Sequence, residues 1–214
     1  MRVLVIGSNG RVGTGLVQKL ADHNYTVLAG SRDAGTEKDL QKNIKKVSFD
    51  LLWDVEDMTQ VMKDNIDAVF FVSGSRGKNL LQIDLHGAVK TMQAAEKAGV
   101  KRYIMLSSVF ALDPTRWKEA FFKDLTDYNI AKHYADLYLS TQTKLDYTIL
   151  QPGALKEEVG SGKITTAIKN AGSNSIANVV DTLLAVLEND STIKKVVMIH
   201  DGETPIKEAL TQLR

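Results

Sequence analysis

The sequence predicts one α/β domain with a doubly wound parallel sheet. Three observations predict it: short apolar runs alternate with longer amphipathic stretches, a glycine-rich turn follows the first run, and 214 residues at 43% hydrophobic composition suit a single substantial core.

The runs at residues 3–6, 26–29, 46–49, 68–72, 103–106, 147–150 and 196–199 are short, apolar and bounded by polar residues, and read as buried parallel strands. Between them, residues 12–21, 55–62, 80–98, 127–141 and 176–187 carry apolar side chains three and four apart, the spacing that lines one face of a helix. The clearest stripe is Leu81, Leu85, Ala88, Val89, Met92 and Ala95, closed by Gly99 where a left-handed C-terminal cap is expected. Parallel strands need a right-handed crossover, so helices are expected on both faces. Residues 157–174, rich in Gly, Ser, Lys and Thr, read as a linker-like flap; small substrate-side elements are expected within 153–180 of the single 1–214 domain.

Composition excludes several function classes. The 27 Lys and Arg balance 26 Asp and Glu, leaving no broad basic field for nucleic acid or an anionic membrane. The opening residues lack the parts of a secretion signal, and no apolar run approaches the ~20 residues of a membrane span, so a cytoplasmic protein is expected. Without cysteine there is no disulfide, thiolate nucleophile or sulfur-ligated metal. His23, His86, His133 and His200 are dispersed and show no ligand spacing, so no metal site is expected. Trp53 and Trp117 read as packing groups, and the interrupted lysines at 42–46 as a solvated face.

Gly7, Ser8, Asn9, Gly10, Arg11, Val12 and Gly13 follow the first strand and open the first helix. Gly7 suits a tight turn, Gly10 lets the backbone approach a pyrophosphate, and Gly13 lets the helix lie close to the strand. The helix N-terminus offers unpaired N–H groups and partial positive charge to phosphates. The second strand runs into Gly30, Ser31 and Arg32 where a site for NAD(H) often carries an acid. Arg32 can meet a 2′-phosphate bidentately, Ser31 can add a hydrogen bond, and Gly30 leaves space, so NADP(H) is favoured. Asp33 could serve a 2′-hydroxyl, which keeps NAD(H) open. After the third strand, Asp50 and Leu51 could contact the adenine edge, or Asp50 could simply open the next helix.

These residues, with Phe71–Gly74, Leu106–Ser108 and the stretch 145–155, resemble the atypical and extended short-chain dehydrogenase/reductase group. The similarity is to the branch holding NAD(P)-binding NmrA-like proteins and biliverdin reductase B-type flavin reductases, and covers nearly the whole chain. The segment 108–115 is similar to the loop after the fifth strand of the latter. The resemblance implies a Rossmann fold, with Ser73, Gly74, Ser107 and the Pro152–Gly153 turn lining the nicotinamide pocket. Gln151 departs from the branch, which often has Arg there; an anionic substrate group is then less readily held from this position.

Tyr128 and Lys132 have the Tyr-x-x-x-Lys spacing of short-chain dehydrogenases and share one helical face. An ammonium beside a phenol favours the phenolate and suits the pair to proton transfer, while Lys132 would also hold the nicotinamide ribose. Ser108, with Ser107 as the adjacent alternative, would donate to a substrate oxygen as charge develops. The leading expectation is therefore an NADP(H)-dependent reductase of a small carbonyl, quinone or flavin-like substrate. A non-catalytic NADP(H) sensor of the NmrA-like type is the alternative, and a nucleotide-sugar epimerase a third. The third finds little chain after residue 152 for a substrate lobe.

Overall fold

The computed structural model describes residues 1–33 and 41–213. Its strands are β1 (Arg2–Ile6), β2 (Thr26–Ser31), β3 (Ile44–Ser48), β4 (Ala68–Phe71), β5 (Arg102–Leu106), β6 (Asp146–Pro152), β7 (Ala154–Lys156), β8 (Lys163–Thr165), β9 (Ser173–Ser175), β10 (Lys195–Asp201) and β11 (Thr204–Pro205). The helices are α1 (Arg11–Asp22), α2 (Val55–Met62), α3 (Ala88–Ala98), α4 (Thr126–Gln142), α5 (Ile176–Leu187) and α6 (Ile206–Thr211). The main sheet runs β11-β8-β10-β6-β5-β4-β1-β2-β3. The strands from β10 to β3 pair in parallel, and β8 and β11 add an antiparallel margin. This is the doubly wound Rossmann arrangement that the sequence predicts.

Alternation along the strands assigns the two faces. Val3 and Val5 point toward α1 and α5, packing with Leu16, Leu20, Val179 and Leu183. Leu4 and Ile6 point the other way, toward Met58 of α2, Met92 of α3, and Ala135 and Leu139 of α4. Sliding β1 by one residue would exchange these sets, so the apolar pattern fixes the register. Each fully buried aliphatic side chain contributes roughly 1.5–3 kcal/mol, which makes both layers cohesive.

The helix at 80–98 corrects one expectation. Its first part, Leu80–Gly87, is π-helical and runs into α3, which closes at Gly99 in the left-handed region with φ 80°. The wider winding takes Leu81 out of phase with Leu85 and Met92; Leu81 is 69% exposed instead of joining the buried stripe. The stretch 157–174 is likewise no bare linker. It contains β8, paired with β10 and β11, and runs into β9, paired with β7. Buried Asn178 fastens it, accepting the Gly162 N–H at 2.8 Å and donating to Asp201 at 2.8 Å. Among the described residues, no helix is long and apolar enough to cross a membrane.

Candidate functional site

The carboxyl ends of the parallel strands share one edge, and the strand order reverses between β1 and β4, where a doubly wound sheet opens its crevice. Outside α4, each candidate cofactor-binding or catalytic residue lies in a strand end or loop on this edge or in the first turn of α1.

The first turn fits a diphosphate. Gly7 has φ 92°, and its N–H and that of Ser8 both donate to the Gly30 carbonyl, at 3.0 and 3.1 Å. Gly10 precedes α1 in an extended conformation; neither it nor the first helical turn supplies a capping side chain or an acid. The Thr14 N–H donates to the Gly10 carbonyl at 2.9 Å, so the N–H groups of Arg11, Val12 and Gly13 have no helical acceptor. A Cβ on Gly13 would stand 2.1 Å from the Gly7 carbonyl oxygen, so the helix lies directly on the turn. At Gly10 only that same oxygen comes near, at 3.1 Å, and the outer side is open.

The flanking side chains organise the β2 end. Ser8 donates its hydroxyl to the Gly30 carbonyl, Asn9 donates to Ser31 Oγ at 3.2 Å, and Ser31 donates to the Asp33 carbonyl at 2.7 Å. Ser31 thus shapes the loop carrying Arg32, which is exposed and makes no ion pair among the described residues. Arg11 reaches Glu157 at 3.8 Å, while Val12 is buried. Asp50 accepts the Leu52 N–H at 2.9 Å, and Leu51 packs against Gly87.

After β4, Ser73 meets the first turn: a Cβ on Gly7 would lie 2.8 Å from its Cα. Gly74 lies against Asp84, a buried acid on the π-helical stretch that the sequence reading missed. Asp84 Oδ2 accepts the Ser75 N–H at 3.0 Å, while its Oδ1 and Ser75 Oγ are buried without partners among the described residues. The wide π turn aims this carboxylate at the loop.

The inner face of α4 carries Tyr128, Asn129, Lys132 and Asp136. Lys132 is buried, with Nζ 3.5 Å from the Leu106 carbonyl and 5.7 Å from the Tyr128 ring centroid, so spacing on the helix does bring the two together. Tyr128, Arg76, Gly77, Leu80 and the chain at 123–127 line a cleft of about 600 Å³. Ser108 opens the loop after β5, half-buried and without a side-chain hydrogen bond among the described residues. Ser107 differs: its hydroxyl donates to Asp136 Oδ2 at 2.7 Å, which removes that proton from use as a donor to substrate. Pro152 accepts the Val109 N–H at 2.9 Å, tying the β6 end to the same loop.

Asp136 is the residue sequence reasoning most clearly overlooked. It is fully buried, burial pushes its carboxyl up to about 7, and Ser107, Gln151 and Lys132 oppose that shift. Gln151 faces inward and donates to Oδ2 at 2.8 Å; its amide serves Asp136. The signal was available: Asp136 stands four residues beyond Lys132, as Lys132 stands beyond Tyr128, so all three follow one helical face. Buried Asn129 has no partner for either amide atom among the described residues.

Two loops close the far side. Arg116 stacks 4.0 Å from the Phe110 ring centroid, pairs with Glu119 and donates to the Lys169 carbonyl at 2.9 Å. Phe110, Phe122, Ile168 and Ala171 pack beneath this bridge with Met198. His133 is satisfied by the Ala111 carbonyl at 3.0 Å and by Trp117, edge-on. His200 packs on Gly153 and Gly172; burial holds its imidazole below the ordinary range, and Nε2 has no partner. No group of three or more His, Asp or Glu among the described residues is placed to hold a metal ion.

The NAD(P)H-binding family matches residues 7–190 of the chain. The structure of the oxidoreductase ylbE from Lactococcus lactis is 48% identical with a TM-score of 0.95, the match covering 100% of this chain and 96% of that one. The uncharacterized sugar epimerase YhfK of Bacillus subtilis is 35% identical over 220 residues, spanning 100% of both chains. ChuY of Escherichia coli O157:H7, described as an anaerobillin reductase, shares the fold at 20% identity and a TM-score of 0.80, over 95% of this chain and 98% of that one.

Proposed function

The chain belongs to the NAD(P)H-binding family, and from that premise we propose that it is an NADP(H)-dependent oxidoreductase acting on a small carbonyl, quinone or flavin-like substrate. One observation carries the reading. On a single sheet edge, an uncapped helix N-terminus suited to a diphosphate is joined by an unengaged hydroxyl, a phenol and a buried ammonium: Ser108, Tyr128 and Lys132. The ylbE and ChuY descriptions support the same class of reaction.

The preference for NADP(H) rests on Arg32, exposed at the end of β2 beside Gly30 and Ser31, with no carboxylate on either. A guanidinium there binds a 2′-phosphate through charge-assisted hydrogen bonds of about 1.5–3 kcal/mol. Ser8, Asn9, Arg11 and Val12 complete the phosphate turn; Asp50 and Leu51 border the adenine; Ser73, Gly74, Ser107 and Pro152 border the nicotinamide end. When bound, NADPH supplies the hydride. Ser108 donates a hydrogen bond to the substrate oxygen that gains charge, and Tyr128 delivers the proton to that oxygen. Lys132 stabilises the phenolate left behind and holds the nicotinamide ribose. The short elements between residues 153 and 175, bridged to the post-β5 loop by Arg116, cover the substrate.

The test is to mix the protein with NADPH and a panel of quinones, flavins and aldehydes and follow the reduced-nicotinamide absorbance. Oxidation with at least one acceptor is expected. NADPH binding without turnover on any acceptor would replace this reading with that of a sensor. Conversion of a nucleotide sugar without net loss of NADPH would replace it with an epimerase, as the YhfK name suggests for that protein. The short β7, β8 and β9 leave little room for a nucleotide-sugar lobe.

A further inference from the structure

Lys132 is 3% exposed, and its one hydrogen bond among the described residues, to the Leu106 carbonyl, is long at 3.5 Å. An ammonium so far from water needs opposite charge nearby. One helical turn on stands Asp136, fully buried, with Oδ2 held by the Ser107 hydroxyl and the Gln151 amide and Oδ1 without a partner among the described residues. Two neutral donors on one carboxylate oxygen, from β5 and β6, favour an anion at that position.

We propose that Asp136 is a positioning residue for Lys132: its buried carboxylate is the counter-charge that keeps the ammonium at the nicotinamide end of the site, and Lys132 grips the ribose there only while Asp136 is ionised. The proposal rests on the reading of Lys132 as a ribose-binding residue given above. Asp136 itself touches neither cofactor nor substrate; it acts through Lys132.

The neighbouring titratable groups sharpen the claim. Tyr128 shares the helix; Asp84, on the π-helical stretch, accepts the Ser75 N–H through Oδ2. Tyr103 of β5 is bonded to Thr91 of α3, and Tyr138 of α4 to Gln93 of α3. Lys90 of α3 donates to the Trp53 carbonyl. β6 presents Gln151, which is neutral. Lys132, one turn away on the same helical face, is the cation that favours the ionised Asp136 against burial. Because burial pushes the Asp136 carboxyl up to about 7, the counter-charge is present above neutrality and lost below it.

The experiment measures binding by calorimetry from about pH 5.5 to about pH 8.5, with NADPH and with adenosine 2′,5′-bisphosphate, which lacks the nicotinamide ribose. In the wild-type protein, NADPH affinity should fall about 10-fold more than bisphosphate affinity toward the acid end. Asp136→Asn should bind NADPH about 10-fold more weakly than wild type at the alkaline end, track the bisphosphate at every pH, and leave bisphosphate affinity unchanged. Ser107→Ala deletes one donor to the carboxylate and should move the midpoint of the NADPH effect to higher pH. Infrared difference spectra should show a protonated-carboxyl band titrating in the same range and missing from Asp136→Asn. NADPH binding in Asp136→Asn that matches wild type across the range, an unmoved midpoint in Ser107→Ala, or absence of the band overturns the proposal while the nucleotide reading stands. Failure of both nucleotides to bind the wild-type protein removes that reading, and this proposal with it.

Discussion

Gly10 and Gly13 lie three residues apart in one turn, yet the structure gives them different jobs, and alanine at each separates folding from binding. A Cβ at Gly13 would sit 2.1 Å from the Gly7 carbonyl oxygen, with the Gly7 carbonyl carbon and Ser8 Cα both at 2.9 Å. All are backbone atoms, so the helix must lift by roughly 1 Å, an overpacking cost of about 1–3 kcal/mol against at most ~1 kcal/mol of helix propensity. At Gly10 the sole near atom is the Gly7 oxygen, at 3.1 Å, and φ is −78°, which any residue adopts. The expected loss there is under ~1 kcal/mol, that of a poorer helix cap. For a chain of this length each kcal/mol moves the melting temperature by about 2–4 °C, so Gly13→Ala should melt several degrees low and Gly10→Ala close to wild type. Calorimetry with NADPH should show the reverse emphasis: the methyl at Gly10 faces the phosphate side and should weaken binding ~10-fold or more. Wild-type affinity in Gly10→Ala, or wild-type melting in Gly13→Ala, would refute this assignment of roles.

Arg32→Ala should weaken NADPH ~10-fold or more and leave NADH nearly unchanged; equal losses for both would mean that Arg32 does not read the 2′-phosphate. Tyr128→Phe should lower turnover of a carbonyl acceptor by about 10²–10⁴-fold with NADPH affinity intact, and an unchanged rate would remove Tyr128 as proton donor. Stability should also depend on pH through Asp136. Its folded carboxyl keeps a proton up to about 7 whereas the unfolded one releases it near 3.8, so the native state holds more protons between these values and its stability falls as pH rises through that window. Chemical denaturation should show Asp136→Asn gaining on wild type from acid to neutral pH, by at most about 4 kcal/mol, and a constant difference would place the carboxyl's titration elsewhere. Arg116→Ala should speed amide exchange in residues 168–171 and at Phe110, because it removes the bridge to the Lys169 carbonyl; unchanged protection would show that the Phe110 and Phe122 cluster suffices.

The fold was legible because the central strands β1, β4, β5 and β6 are short apolar runs with buried residues on both faces, while β3, at the margin, is only partly buried. Val3 and Val5 against Leu4 and Ile6 is a pattern that one sequence displays without help. The close packing of the glycine-rich turn was legible for a related reason, since glycine spacing reports backbone proximity and Gly13 lies on Gly7. Leu81 was misread because helical phase was assumed constant across 80–98, and a π stretch leaves no mark in composition. The strands within 157–174 could be expected only as unspecified small elements, because their order comes from distant side chains, Asn178 and Asp201, whose pairing depends on tertiary closure. Tyr128 and Lys132 were found by spacing. Asp136 was missed, and Gln151 was noted without its tie to Asp136, because that contact joins a helix to a separate strand, and burial alone makes an ordinary carboxyl unusual.

The π stretch makes the site sensitive to chain length as well as to side-chain identity. A π turn takes up one residue more than an α turn, so a single deletion within 80–87 would let the segment rewind as a regular helix and swing its start by about 100°. Asp84 would then point away from Ser75 with every side chain conserved, and the rim beside Gly74 would lose its brace. Relatives whose crossover helix differs here by one residue should therefore present a differently shaped mouth to their ligands, even where the glycine turn and the Tyr128–Lys132 pair are retained.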